Sequence, residues 1–256
     1  MLINKTGDLS LVPKRIISLV PSQTELLHYL RLDEKVIGIT KFCVHPYTWF
    51  TTKEKIGGTK TINIEKIKKL QPDLIIGNKE ENVKEQIEEL SKDFAVFVTD
   101  VNNLTDACAM IKDIGKLTGL LQQAEDLVLT IQKEFAIIAQ PTNLINTAYL
   151  IWQKPYMAAG GNTFINDMLT YCGCKNIFAG KERYPSVSIE DIKTAECKLL
   201  LLSSEPFPFK QKHIDELQLQ LPDCKILLAD GEMFSWYGSR LLNAAKYFLR
   251  LRQSFV

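Results

Sequence analysis

Short apolar runs recur along the chain and predict buried strands. Four such runs lie in the first half and three in the second half, at 15–20, 36–40, 73–77, 94–99, 147–152, 198–203 and 225–229. Segments with helical spacing of apolar residues lie between most of them. Unbroken apolar strands that alternate with helices are typical of parallel sheets covered on both faces, so the pattern predicts an α/β fold.

The middle of the chain has a different pattern, because helical spacing runs from 104 to 140 without a strand candidate. Gly115 and Gly119 divide this stretch into a helix of about 11 residues and one of roughly 20, which Pro141 would end. A helix of 20 residues is about 30 Å long, enough to join two lobes. We therefore predict two Rossmann-like lobes with mostly parallel sheets, at 1–119 and 141–256. A single long, rigid helix at 120–140 would join them, with a ligand cleft between the lobes.

Composition and charge argue against several classes of protein. Lys plus Arg number 31 and Asp plus Glu number 30, and this balance argues against a nucleic-acid-binding protein. Six cysteines without a C-x-x-C pair favour neither a disulfide scaffold nor a zinc ribbon. We interpret Cys172 and Cys174 as small apolar residues near a helix end.

The apolar runs are also too short to cross a membrane, which needs about 18 apolar residues. The first residues lack the apolar core and cleavage site of a signal peptide, so we expect neither a membrane span nor a leader in this chain.

Common catalytic motifs are missing. The chain contains no G-x-S-x-G, H-E-x-x-H or G-x-G-x-x-G pattern, so no catalytic residue is predicted. Of the three histidines, we interpret His28 as a packing residue and His213 as solvated. His45 follows the strand predicted at 36–40, where a ligand site of an α/β protein opens; it is either a ligand contact or a structural loop residue.

Three further loops follow predicted strands. Ser22 and Glu25 have the spacing of a helix-capping box. Gly160 and Gly161 would let the backbone approach a ligand. The aromatic residues at 234–237 favour ligand contact over core packing.

Several segments together resemble one known family over nearly the whole chain. They lie at 13–25, 63–67, 70–76, 160–178 and 187–190. In order and spacing they resemble the substrate-binding proteins of ABC importers, in the class that has one helix between its lobes and captures cobalamin, haem or ferric siderophores.

The resemblance implies a binding protein and not an enzyme. Such a protein captures a metal-chelate nutrient and delivers it to the transmembrane permease subunits, and it acts as a monomer without nucleic acid. We expect cobalamin or a related corrinoid first, haem second and a ferric siderophore third. By the same resemblance, Glu65 and Glu190 would dock onto the permease; the competing interpretation is that each interacts with a helix dipole.

The resemblance also assigns the ligand contacts by position. They are His45, Thr59, Asn78, Lys79, Met157, Tyr184, Glu232 and Trp236. Thr, Asn and Tyr stand at 59, 78 and 184, where the cobalamin-binding members carry tryptophan. No direct metal ligand is predicted, except that His45 would suit an axial position if the ligand is haem.

Localisation stays open at this point. The resemblance implies a periplasmic or cell-envelope protein, whereas the absence of a signal peptide fits either a trimmed chain or a cytoplasmic relative. In the second case the protein would be a cytoplasmic carrier or sensor of tetrapyrroles or metal chelates. A chelatase-like enzyme would use His45 and Glu232 as acid/base groups or metal ligands.

Overall fold

The computed structural model describes residues 2–3, 12–138 and 143–255. The chain divides into two compact units. The first unit comprises Met1–Val101, Thr105–Thr130 and Tyr237–Arg240, and the second comprises Asn102–Leu104, Ile131–Trp236 and Leu241–Val256. The lobe limits at 119 and 141 stay a prediction.

The first unit is built on a six-stranded parallel sheet. Its strands are β1 (Leu2–Ile3), β2 (Ile16–Ser18), β3 (Val36–Ile39), β4 (Glu54–Lys55), β5 (Leu74–Asn78) and β6 (Val96–Thr99), in the order β1-β6-β5-β2-β3-β4. The helices among them are α1 (Pro21–Tyr29), α2 (Tyr47–Thr52), α3 (Ile64–Leu70) and α4 (Lys84–Asp93), followed by α5 (Leu104–Thr118).

The second unit has a five-stranded, mostly parallel sheet. Its strands are β7 (Ile145–Trp152), β8 (Met157–Ala158), β9 (Cys174–Asn176), β10 (Leu199–Ser203) and β11 (Lys225–Ala229). They are ordered β11-β10-β7-β8, with β9 also paired to β7 and only β8 antiparallel. The helices are α7 (Phe164–Tyr171), α8 (Ile189–Thr194), α9 (Gln211–Gln218), α10 (Gly231–Ser235) and α11 (Leu241–Gln253). The predicted α/β fold with two parallel-sheet lobes is therefore confirmed.

Apolar strands form the centre of each unit. All five residues of β10 and all five of β5 are buried. A strand that lies between two layers of helices has no face toward water, which explains why these segments read as continuous apolar runs and not as alternating ones.

The long helical stretch differs from the prediction in detail. Helix α5 has 15 residues and runs through Gly115, where a Cβ would lie 2.3 Å from the Cβ of Ala124. This glycine therefore serves close packing against the next helix, α6 (Leu121–Ile137), and does not end α5. The two units divide within α6, between Thr130 and Ile131. Pro141 and the last two residues of the predicted helix lie outside the described residues.

Three local predictions were wrong. Phe234, one of the aromatic residues expected to favour ligand contact, is 0% exposed and packs in the core against the rings of Tyr149 and Phe248. Helix α1 begins at Pro21, so Ser22 lies inside the helix as a buried residue and does not cap it. His213, predicted to be solvated, is only 5% exposed and packs edge-on against the rings of Phe207 and Phe209. Its Nδ1 accepts a 2.8 Å hydrogen bond from the amide of Lys210.

None of the helices in the described ranges combines the length and the apolar character that a bilayer crossing requires.

Candidate ligand-binding site

A cavity of about 490 Å³ opens in the second unit at the carboxyl ends of β10 and β11. It is lined by Ser204, Glu205, Leu228, Ala229, Asp230 and Glu232. Neighbouring parallel strands end at the same edge of a sheet, so the loops that follow them meet there and form the usual binding site of an α/β protein. Three of the six lining residues carry a carboxylate, which makes the cavity acidic.

Glu205 is held in place by the segment that follows β11. Its Oε1 accepts a 3.0 Å hydrogen bond from Ser235 Oγ and a 2.8 Å hydrogen bond from Trp236 Nε1. The backbone carbonyl of Glu205 accepts a further hydrogen bond of 2.5 Å from Ser203 Oγ, at the end of β10. The carboxylate therefore joins the loop after β10 to the end of α10.

The turn between β11 and α10 is equally constrained. The amide of Asp230 donates to Tyr247 Oη at 2.8 Å, and the Asp230 side chain caps α10 by accepting from the amide of Glu232 at 3.1 Å. A Cβ on Gly231 would lie 2.5 Å from the Cγ of Glu205. Only glycine allows the two loops to approach this closely, so the cavity wall requires it.

Burial raises the pKa of the Glu205 carboxyl above its usual range. The negative charges of Glu232 and Asp230 raise it further, while the hydrogen bonds from Ser235 and Trp236 oppose the shift. Such a site stabilises partners that donate hydrogen bonds or carry positive charge and repels anionic groups.

Two of the four predicted ligand residues of the second unit lie at this cavity. Glu232 lines the cavity, and Trp236 is bonded to its wall through Glu205. Met157 lies on β8 and forms a bridge to Ser186, close in sequence to the half-buried Tyr184.

The predicted ligand residues of the first unit follow its strands. Asn78 ends β5 and is buried, with its amide donating to Thr99 Oγ1 at 3.0 Å. Its Oδ1 accepts from the amide of Glu80 at 2.8 Å. Lys79 is exposed and pairs with Asp100 at 2.8 Å. Thus Asn78 organises the loop that carries Lys79.

His45 and Thr59 lie in two other loops of the same unit. His45 is half-buried in the loop after β3, which exposes the side chains of Phe42, Val44 and Tyr47. Thr59 is half-buried, and its carbonyl accepts a 3.1 Å hydrogen bond from Asn82 Nδ2. All eight predicted ligand contacts thus lie in described residues, and their role stays a prediction.

The glycine pair at 160–161 makes its close approach to the chain itself. The amides of Gly160 and Gly161 donate to the carbonyls of Arg183 and Lys181, each at 2.8 Å. A Cβ on Gly161 would lie 2.0 Å from the carbonyl oxygen of Ala179. The two glycines therefore fix the loop that carries Tyr184.

Sequence reasoning missed Glu205 and Asp230. Asp230 directly follows the strand predicted at 225–229, and Glu205 lies two residues beyond the strand predicted at 198–203. Polar residues just beyond the carboxyl end of a buried strand were the available signal.

The predicted docking residues, Glu65 and Glu190, share one local structure. Each is exposed and is the second residue of a helix, α3 or α8. Asn63 caps α3 by accepting from the amide of Lys66, and Ser188 caps α8 in the same way. No ion pair with either glutamate occurs among the described residues.

Within the described ranges, no group of three or more His, Cys, Asp or Glu side chains is arranged to hold a metal ion.

Comparison with known proteins identifies the family. The sequence model of the family described as periplasmic binding protein matches residues 16–221. The vitamin B12-binding protein of Pectobacterium carotovorum is 25% identical over 243 residues, covering 92% of this chain and 87% of that protein. The vitamin B12-binding protein of Vibrio vulnificus strain CMCP6 is 30% identical over 191 residues, covering 70% and 67%.

Solved structures show the same fold. The periplasmic heme-binding protein of Roseiflexus sp. RS-1 superposes with a TM-score of 0.80 at 21% identity, covering 94% of this chain and 97% of that one. The periplasmic vitamin B12-binding protein of Vibrio cholerae gives a TM-score of 0.78 at 23% identity, covering 94% and 98%. These relatives are named as binding proteins and not as enzymes. The family match over residues 16–221 confirms the resemblance seen in the sequence, and the chain belongs to the periplasmic binding protein family.

Proposed function

We propose that this protein is the substrate-binding component of an ABC importer and that it captures a metal-chelate nutrient for delivery to a membrane permease. Family membership together with the vitamin B12-binding relatives carries this proposal. The role places the protein in the cell envelope, on the outer side of the membrane that holds the permease.

Among metal chelates, the acidic cavity favours cobalamin or a related corrinoid. The rim of a corrin carries amide groups, whose N–H donors suit the carboxylates of Glu205, Asp230 and Glu232. Haem carries two propionates, and catecholate siderophores are strongly anionic, so the same carboxylates would repel both. Haem therefore ranks second and a ferric siderophore third.

A titration of the purified protein tests the ligand class. Cyanocobalamin, hemin and a ferric hydroxamate are added separately, and binding is measured by calorimetry and by tryptophan fluorescence corrected for ligand absorbance. We expect saturable binding of cyanocobalamin with a Kd in the micromolar range or below. Saturation by hemin alone would overturn the ranking, and absence of binding to all three would overturn the metal-chelate proposal.

The cavity carboxylates provide a second test of the same ranking. Glu232→Gln keeps the size of the side chain and removes its charge. It should weaken cobalamin binding and strengthen any residual hemin binding, because the repulsion of the propionates falls. Glu216→Gln, at an exposed position on α9, is the matched control and should change neither affinity.

We further propose that Glu65 and Glu190 dock the loaded protein onto the permease. Both carboxylates are exposed at the first turn of a helix whose N-cap side chain accepts a hydrogen bond from the third helical amide, so each has a defined position on the surface. Charges of this kind fix orientation and speed association more than they add affinity.

Transport by the permease reconstituted in vesicles tests the docking residues. The double variant Glu65→Ala with Glu190→Ala should bind ligand normally and lose most of the stimulation of transport. Glu85→Ala is a matched control, because Glu85 is an exposed glutamate in the first turn of α4. Full stimulation by the double variant would refute the docking role.

A further inference from the structure

Two cysteines stand side by side at the amino-terminal ends of β10 and β11, the opposite ends from the cavity. In the parallel register, Leu199 is aligned with Lys225, and the amide of Lys225 donates to the carbonyl of Lys198 at 2.9 Å. Cys224 is therefore opposite Lys198, and Cys197 lies one residue before Lys198 on the neighbouring segment. Neighbouring strands lie about 4.8 Å apart and successive residues about 3.3 Å apart, so the two Cα atoms are about 6 Å apart, within the range that a disulfide bridges.

The two side chains belong to the same hydrophobic cluster of the second unit. Cys197 is 7% exposed and Cys224 is 4% exposed. The two thiols lie close enough to interact, since each shifts the pKa of the other. Each sulfur also contacts a strand carbonyl, Cys197 Sγ with Leu199 O at 3.1 Å and Cys224 Sγ with Lys225 O at 3.7 Å. Both side chains therefore lie in one buried cluster before any covalent bond forms.

The environment distinguishes the two thiols. Interaction with Cys224 lowers the pKa of Cys197, burial acts in the opposite direction, and the positive charge of Lys198 lowers the pKa further. Interaction with Cys197, together with burial, raises the pKa of Cys224. Because the thiolate is the nucleophile in disulfide exchange, the lowered pKa favours Cys197 over Cys224 as the first residue to react.

We propose that Cys197 and Cys224 form a reversible disulfide that fastens β10 to β11 when a low-molecular-weight disulfide, such as oxidised glutathione, is present. The Cys197 thiolate attacks one sulfur of the oxidant and releases one glutathione as its thiolate, which takes up a proton. Cys224 then loses its proton to solvent and attacks Cys197 Sγ in the mixed disulfide. The second glutathione leaves, so two protein thiols are oxidised and one glutathione disulfide is reduced.

The crosslink acts on the strands that carry the cavity. The loops after β10 and β11 supply Ser204, Glu205 and Asp230, and the bond would tie the opposite ends of the same two strands. Closing the 197–224 segment restricts the unfolded chain and so stabilises the folded one. This inference does not depend on the identity of the ligand.

Mapping of the thiols in the full-length protein tests the proposal directly. The native protein is incubated with oxidised and reduced glutathione at several ratios, free thiols are blocked in denaturant, and the protected cysteines are labelled after reduction and located by mass spectrometry. We expect two thiols per chain to be lost, both at Cys197 and Cys224. The melting temperature should rise by about 5 °C and return to its starting value with dithiothreitol.

Variants separate this pair from the other cysteines. Cys197→Ser and Cys224→Ser should each prevent the rise in melting temperature, whereas Cys108→Ser, at a buried position on α5, should leave it unchanged. The proposal is overturned if oxidation links only Cys172 to Cys174, stops at a glutathione adduct, or requires denaturant. The map of the unmodified chain decides the question even if a serine variant does not fold.

Discussion

The indole Nε1 of Trp236 donates a 2.8 Å hydrogen bond to Oε1 of Glu205, a residue 31 positions earlier in the chain. This bond connects the end of α10 to the loop after β10, and it holds a carboxylate in a setting where burial disfavours its charge. The stability of this edge of the sheet therefore depends on one side chain.

Glu205→Gln should make the protein more stable at neutral pH. Because burial raises the pKa of Glu205 in the folded state, the folded protein binds this proton more tightly than the unfolded one. The stabilisation that this proton contributes is fully present below the unfolded pKa of about 4.3. It is lost as the pH rises through the pKa of the folded state. Gln keeps an oxygen that accepts from Trp236 and Ser235 and carries no charge.

Melting temperatures measured from pH 4 to pH 8 check this prediction. The Glu205→Gln variant and the parent should converge near pH 4 and diverge as the pH rises, with the variant higher. If the melting temperatures of the two proteins changed in parallel with pH, the raised pKa of Glu205 would be contradicted. Glu216→Gln, at an exposed position, should follow the parent throughout.

Trp236→Phe should weaken the binding of cobalamin by about tenfold, because Glu205 loses a hydrogen-bond donor and the cavity wall loses its support. The fluorescence quenching caused by the ligand should also fall. Trp49→Phe is the control, since Trp49 donates to Asp33 Oδ1 at 2.9 Å in the first unit. Equal loss of quenching in the two variants would argue against a special role for Trp236.

Gly161→Ala should destabilise the protein by about 3 kcal/mol, because the new Cβ would lie 2.0 Å from the carbonyl oxygen of Ala179 and neither backbone can retreat without breaking a hydrogen bond. Gly180→Ala lies in the neighbouring loop, where a Cβ meets nothing within 4 Å. In urea unfolding, the Gly180→Ala variant should change the free energy of unfolding by no more than about 0.5 kcal/mol. A small effect at both positions would show that the loop is adaptable.

Arg240→Ala should lower the free energy of unfolding by about 2 kcal/mol. Arg240 pairs with Glu25 through contacts of 2.7 Å and 3.1 Å, and the side chains are only 14% and 21% exposed, so its removal leaves a carboxylate in a partly desolvated site. Lys246→Ala removes a cation that is 64% exposed and lies 3.4 Å from Glu134. Urea unfolding should show that Lys246→Ala lowers the free energy of unfolding by less than about 0.5 kcal/mol.

The apolar pattern predicted the major strands closely because burial on both faces leaves its mark on every residue of a strand. The strand predicted at 225–229 has the observed bounds of β11, and the one predicted at 198–203 differs from β10 by one residue. The short strands β1, β4, β8 and β9 were not predicted, because none of them lies in an apolar run as long as those around β2 and the other predicted strands.

Local patterning and the order of segments were enough to predict the α/β fold, the family and the edge of each sheet at which polar residues collect. Which side chains meet is visible only in the folded chain, as for Glu205 with Trp236, Arg240 with Glu25, and Cys197 with Cys224. The tertiary structure likewise placed His213 among aromatic rings and carried α5 through Gly115. Such outcomes depend on the strand order and on packing between residues far apart in the chain, and a local pattern records neither.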